Sequence, residues 1–202
     1  MARAVGVVGH LLFEGLALAM RETSAFAPSA AAIARALIDA GAVDDGLTPT
    51  QASGAPRDTG YWSMRLAQWF AAASGRDNLR FLFASTHLES RQEFSLPLAA
   101  AAAGERLRVD HSFVTAEGVR WIVDYKFAEP DAGEAAEAAA VDAWVARQCA
   151  QYAAQLAGYR AAFAHYEHER ERAGADDTPA ASARPIVTAL YFPWLDRLQA
   201  CQ

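Results

Sequence analysis

The run Leu107 to Phe127, LRVDHSFVTAEGVRWIVDYKF, decides the fold. Leu107–Val114 and Val119–Phe127 are rich in β-branched and aromatic residues, and Ala116-Glu117-Gly118 between them is a turn signal, so the run reads as a β-hairpin. Side chains alternate faces along a strand, which puts Asp124 and Lys126 on one face. With the turn centred on Glu117, residues equidistant from it oppose one another, and Asp110 falls opposite Asp124. Two carboxylates about 5 Å apart at an effective dielectric near 20 repel by roughly 3 kcal/mol. A divalent cation turns that repulsion into attraction. Carboxylate oxygens suit a hard ion that keeps several waters, so Mg²⁺ is expected, or Mn²⁺. An ammonium group beside such an ion can neutralise charge developing on a phosphate, and the compact point charge of lysine suits this better than arginine. The set Asp110, Asp124 and Lys126 therefore predicts metal-dependent hydrolysis of a phosphodiester. Asp-x-Lys alone on a strand is more often a solvated ion-pairing face. The opposed Asp110 and the rarity of lysine in this chain set it apart.

That rarity is compositional. Of 18 Lys+Arg, only Lys126 is lysine. In an Ala-rich, Arg-rich sequence, a lysine that persists points to a place arginine cannot take. The net charge is −6, and most of the acidic excess lies late: residues 1–128 hold 12 basic against 13 acidic residues, residues 129–202 hold 6 against 11. Such a chain binds nucleic acid weakly unaided, because phosphate contacts supply most non-specific affinity. A partner domain that delivers the strand removes the difficulty. Cys149 and Cys201 form no C-x-x-C pair, so a structural zinc site is not expected, and a four-cysteine iron–sulfur cluster is excluded. Two reduced thiols in the cytoplasm are the simpler expectation. Val5–Met20 is apolar but interrupted by Gly6, Gly9, His10 and Glu14, and no membrane association is expected.

Outward from the hairpin, apolar spacing predicts helices over Val5–Met20, Ser29–Ala40 and Tyr61–Ala73, with a loop over Asp44–Asp58 and a turn at Gly75–Asn78. Leu79–Ser85 and Glu93–Leu98 read as strands. Ala128–Ala140 reads as a loop or the start of a helix that runs from about Val141 to Arg172. Gly174–Arg184 is a polar linker, and Pro185–Tyr191 is a last strand. The expected architecture is one domain over residues 1–202: a mainly helical region over 1–78, then an α/β core over 79–202 with a central mixed sheet flanked by helices.

Arg108-Val109-Asp110 followed by Trp121-Ile122-Val123-Asp124-Tyr125-Lys126 resembles the nuclease core of the PD-(D/E)XK superfamily, with its restriction-endonuclease-like fold. The subgroup most resembled is the RecB-like nuclease domain that ends the AddA and RecB helicase–nucleases, and the resemblance runs from about His10 to Tyr191. Gly6-Val7-Val8-Gly9-His10-Leu11-Leu12-Phe13-Glu14 resembles the first helix of that family, which implies His10 as a metal ligand beside Asp110, Asp124 and the backbone carbonyl of Tyr125. Ser90-Arg91-Gln92-Glu93-Phe94 resembles the strand before the hairpin, where the family carries an acidic residue, implying Glu93 near the site. Gln155-Leu156-Ala157-Gly158-Tyr159 resembles the Gln-x-x-x-Tyr motif, implying Gln155 and Tyr159 at the DNA or the catalytic centre. Gln148 and Tyr152 repeat the spacing one heptad earlier. Arg147 is a further candidate phosphate contact. Leu107, His111 and Phe127-Ala128 depart from the usual pattern, and none of these departures removes a ligand. The resemblance implies a DNA exonuclease domain acting in recombination or repair on single-stranded DNA, supplied by a helicase motor in the same or a partner chain. A catalytically inactive DNA-binding or assembly module with the same fold is the alternative.

Overall fold

A computed structural model describes residues 1–42, 57–97, 106–172 and 184–201. The expected loop over Asp44–Asp58 and linker over Gly174–Arg184 fall largely outside them, as does Leu98. The chain is α/β and divides into two compact units. The first comprises Met1–Ser85, Lys126–Ala132 and Pro193–Asp196; the second comprises Thr86–Tyr125, Gly133–Phe192 and Arg197–Gln202.

The first unit is helical. α1 (Ala2–Arg21) buries Val5, Val8 and Leu16 of the expected stripe Val5, Val8, Leu12 and Leu16; Leu12 is half-buried and its neighbour Phe13 is the fully buried residue. α2 (Ala30–Asp39) starts where Ser29 accepts a hydrogen bond from the Ala32 N–H, and α3 (Thr59–Ala71) starts where Asp58 accepts one from Tyr61. Phe13 is the hub of the core, with ring centroids 5.1 Å from Phe70, 5.6 Å from Trp69 and 5.7 Å from Phe127. Gly9 is required by close approach: a Cβ there would collide with the Phe127 ring. By length and composition α1 is also apolar enough to cross a bilayer, although 44% of its apolar window is buried in the fold. The strand expected over Leu79–Ser85 is instead a helix, α4 (Asp77–Leu82), followed by a turn. Its buried positions, Leu79, Leu82 and Phe83, are three and four apart, which is helical spacing.

The second unit is a five-stranded mixed sheet in the order β1 (Leu88–Pro97), β2 (Arg106–Val114), β3 (Arg120–Tyr125), β4 (Ile186–Phe192), β5 (Arg197–Cys201). Only β3 and β4 pair in parallel. The crossover between them carries the short α5 (Ala132–Ala135), α6 (Ala138–Gln151) and α7 (Ala153–Arg172). The single long helix expected over Val141–Arg172 is thus two, ending and restarting around Tyr152, where neither Pro nor Gly announces a break. β5 was not expected at all. α7 lays Leu156, Tyr159 and Phe163 against the sheet, and Trp144 of α6 packs on Phe192 at 5.0 Å.

Two further devices hold this unit. Arg120, 1% exposed, bonds Glu89 and Glu167, while Arg170 and Arg184 also reach Glu89. Glu89 takes φ +51 at a bulge in β1. The second device is covalent: Cys149 of α6 and Cys201 of β5 form a disulfide, Cα to Cα 5.6 Å. The expectation of two free thiols is corrected here. Without β5 in the sequence reading, nothing brought Cys201 to α6.

Candidate metal centre

The three strands β1, β2 and β3 lie side by side, and each brings one carboxylate to the same level. The pairs Gln92↔His111 and Phe94↔Val109 set Glu93 opposite Asp110. The pair His111↔Val123, carried one residue further, sets Asp110 opposite Asp124, the register that a turn centred on Glu117 predicts. Carboxylate oxygens of Glu93 and Asp110 lie within 4.8 Å. Asp110 is 8% exposed and Asp124 3%. Three acids in a row in a half-buried sheet repel one another, each neighbouring pair by an amount on the order of 3 kcal/mol. Arg108 answers part of this through an ion pair with Glu93. Glu93 itself sits at φ +49, a left-handed backbone that a non-glycine residue adopts at a cost of about 1 kcal/mol.

Neighbouring groups fix where these carboxylates point. The Tyr125 N–H donates to Asp110 Oδ2 at 2.7 Å. Asp124 Oδ1 accepts from Gln155 Nε2 at 3.0 Å and from the Tyr159 hydroxyl at 3.1 Å. Gln155 and Tyr159 stand one turn apart on α7 and also bond each other. Of the two Gln/Tyr pairs in the sequence, this is the one that reaches the site. Burial, and then the Asp124 carboxylate, push the Tyr159 phenol well above its ordinary pKa. Burial, and then Asp110, do the same for Tyr125, whose hydroxyl donates to Gln92 Oε1 at 3.3 Å. Both phenols therefore stay protonated and act as hydrogen-bond donors, Tyr159 to Asp124 and Tyr125 to Gln92.

β3 ends at Tyr125, so Lys126 is the first residue beyond the strand rather than part of it. It opens the segment Lys126–Ala132 of the first unit. In that unit His10, half-buried on α1, has its ring 6.3 Å from Phe127, the residue after the lysine. Arg147 is occupied elsewhere, in an exposed ion pair with Glu134 on α5. Sequence reasoning missed Gln92 and the pairing of Arg108 with Glu93. The first carries no signal, and the second follows only once the β1–β2 register is known.

By donor type, the carboxylates of Glu93 and Asp110 in the second unit can take part in holding a metal ion. Carboxylate oxygens suit a hard divalent cation. No family model and no curated protein matches this chain.

Proposed function

We propose that the chain is a Mg²⁺- or Mn²⁺-dependent nuclease that hydrolyses DNA phosphodiesters, as the exonuclease domain of a helicase–nuclease working in recombination and repair in the cytoplasm. The observation that carries this reading is the row Glu93, Asp110, Asp124 across three adjacent strands, with the only lysine of the chain two residues past the last acid. When bound, the metal would supply Lewis-acid stabilisation of a phosphate and lower the pKa of a water. Asp110, Asp124 and the Tyr125 carbonyl are the proposed ligands on the sheet, with Glu93 beside them. His10 is the proposed ligand from α1. Its support comes from the chain itself, since Phe127 packs on Gly9 and His10 and is three residues from Asp124. Gln155 and Tyr159 aim Asp124 by donating to one of its oxygens. Lys126 would meet negative charge developing on the scissile phosphate.

The test is digestion of end-labelled single-stranded DNA with Mg²⁺, with Mn²⁺ and with EDTA, for the wild type and Asp124→Asn. Metal-dependent cleavage that falls at least a hundredfold in the variant supports the reading. Cleavage that persists in EDTA, or in Asp124→Asn, ends it.

A second reading, a non-catalytic DNA-binding or assembly module, is favoured by one observation: Arg108 already neutralises Glu93 without a metal. Calorimetric titration with Mn²⁺ separates the two. Binding that disappears in Asp110→Ala supports the nuclease; no binding supports the module.

A further inference from the structure

The first unit carries an aromatic and guanidinium surface that the proposed metal site does not use. Arg65 of α3 lies over the Trp194 ring at 4.1 Å, and Trp194 stands 5.9 Å from Trp62. Arg57 lies over the Tyr61 and Trp62 rings at 5.8 and 6.0 Å. Tyr61, Trp62 and Trp194 are each partly exposed. Beside them is a pocket of about 270 Å³ lined by Arg65, Gln68, Trp69, Arg76 and Trp194, none of them acidic. Arg57 and Arg65 share a single carboxylate, Glu129, and Arg76 meets Asp196 only at 3.7 Å. Three guanidinium groups stand here against Glu129, Asp196 and the Asp58 that caps α3, so unpartnered donors rather than an excess of charge mark the patch. Arg76 Nε and the Trp194 indole N–H are buried donors with no hydrogen-bond partner among the described residues. A phosphate oxygen is the type of acceptor they lack.

We propose that this surface binds single-stranded nucleic acid, bases stacking on Trp62 and Trp194 and a backbone phosphate held by Arg65 and Arg76. Stacking on aromatic rings with arginine alongside is how a strand is held without regard to sequence, each stacked base contributing on the order of 1–3 kcal/mol. A duplex keeps its bases inside and offers only phosphates. Position supports the assignment: the Phe127 ring lies 5.6 Å from Trp194, and Phe127 follows Lys126 in the chain. The proposal rests on the nuclease reading for what the strand does next, but not for binding itself.

The experiment follows tryptophan fluorescence of the whole chain in EDTA, where no cleavage occurs, during titration with a twelve-nucleotide oligothymidylate, the matching duplex, or inorganic phosphate. Quenching by the oligothymidylate that weakens at least tenfold in Trp194→Leu and in Arg76→Gln, but not in Arg35→Gln on α2, supports the site. Two variants are used because Trp194→Leu also alters packing, whereas Arg76→Gln leaves the ring in place. Equal affinity in all four proteins overturns the proposal, as does quenching by duplex or phosphate as strong as by the single strand. Binding retained in a chain that never cleaves would sink the nuclease reading and leave this site standing. Cleavage with unchanged binding in both variants does the reverse.

Discussion

The main-chain N–H of Tyr125 donates to Asp110 Oδ2 at 2.7 Å, so the acid of one strand is aimed by the backbone of the next. The bond needs an acceptor at that oxygen, not a charge, so an amide oxygen at position 110 can keep it.

Asp110→Asn therefore separates structure from metal. The variant keeps the acceptor and removes one of three mutually repelling acids. The metal-free protein is expected to be as stable as the wild type or about 1 kcal/mol more so, because Arg108 and the donors from Tyr125, Gln155 and Tyr159 already offset most of the repulsion. Added Mn²⁺ should raise the Tm of the wild type and leave the variant unmoved. Thermal melts with and without Mn²⁺ check this, and a metal-free variant weaker by several kcal/mol would contradict it.

Tyr159→Phe tests the aim of the other aspartate. Its hydroxyl donates to the buried Asp124 at 3.1 Å. Losing a hydrogen bond to a charged acceptor costs about 1.5–3 kcal/mol, which urea unfolding will read. A group that positions Asp124 affects turnover more than strand affinity. The expected result is kcat down at least tenfold with KM within twofold; a change in KM alone would make Tyr159 a strand contact instead.

The hairpin register was legible because opposed residues in a strand pair follow from the position of the turn, and Gly118 marks it. The row of three acids was legible only in part. Glu93 falls opposite Asp110 through a β1–β2 register that its connection, residues 98–105, does not encode. Three errors have physical causes. Asp77–Leu82 is too short to declare a period, so its apolar residues passed for a strand. Tyr152 ends α6 with an ordinary side chain. β5 offers alternating exposure too weak to read, and with it went the disulfide partner. Gln155 and Tyr159 were visible as a pair on one helix face, but not that both would turn to Asp124.

The buried charge network predicts acid sensitivity. Burial alone would raise the Glu89 pKa; hydrogen bonds and charge from Arg120 and Arg170 outweigh it and hold the carboxyl down at about 2. A depressed folded-state pKa contributes stability that is complete above the unfolded value, about 4.5, and is lost as pH falls towards 2. Unfolding midpoints should drop through that window. In Arg120→Met, Glu89 and Glu167 lose their most buried shared partner and keep Arg184, and the loss at pH 7 is expected to be about 3 kcal/mol.

Reduction should loosen the second unit. The Cys149–Cys201 bond closes a loop with a sequence separation of 52, and a cross-link of that length restricts the unfolded chain by about 4 kcal/mol. Urea midpoints in dithiothreitol are expected to fall accordingly, and Cys149→Ser should behave alike with or without reductant.

Gly9→Ala probes how the first unit governs Lys126. The added Cβ would meet the ring of Phe127, which is also packed against Phe13 and Trp194 and cannot simply turn away. Overpacking of this kind costs about 1–3 kcal/mol. The ring's escape is to move its own backbone, and the next residue back is Lys126. The proposed nuclease activity should therefore fall well beyond what the stability loss explains, measured at a temperature where the variant is fully folded. Gly6→Ala is the control, since a Cβ there meets nothing within 4 Å. It lies on the same helix, should stabilise α1 by up to about 1 kcal/mol through helix propensity, and should leave activity as it was. Equal activity in both variants would separate the placement of Lys126 from the packing of Phe127.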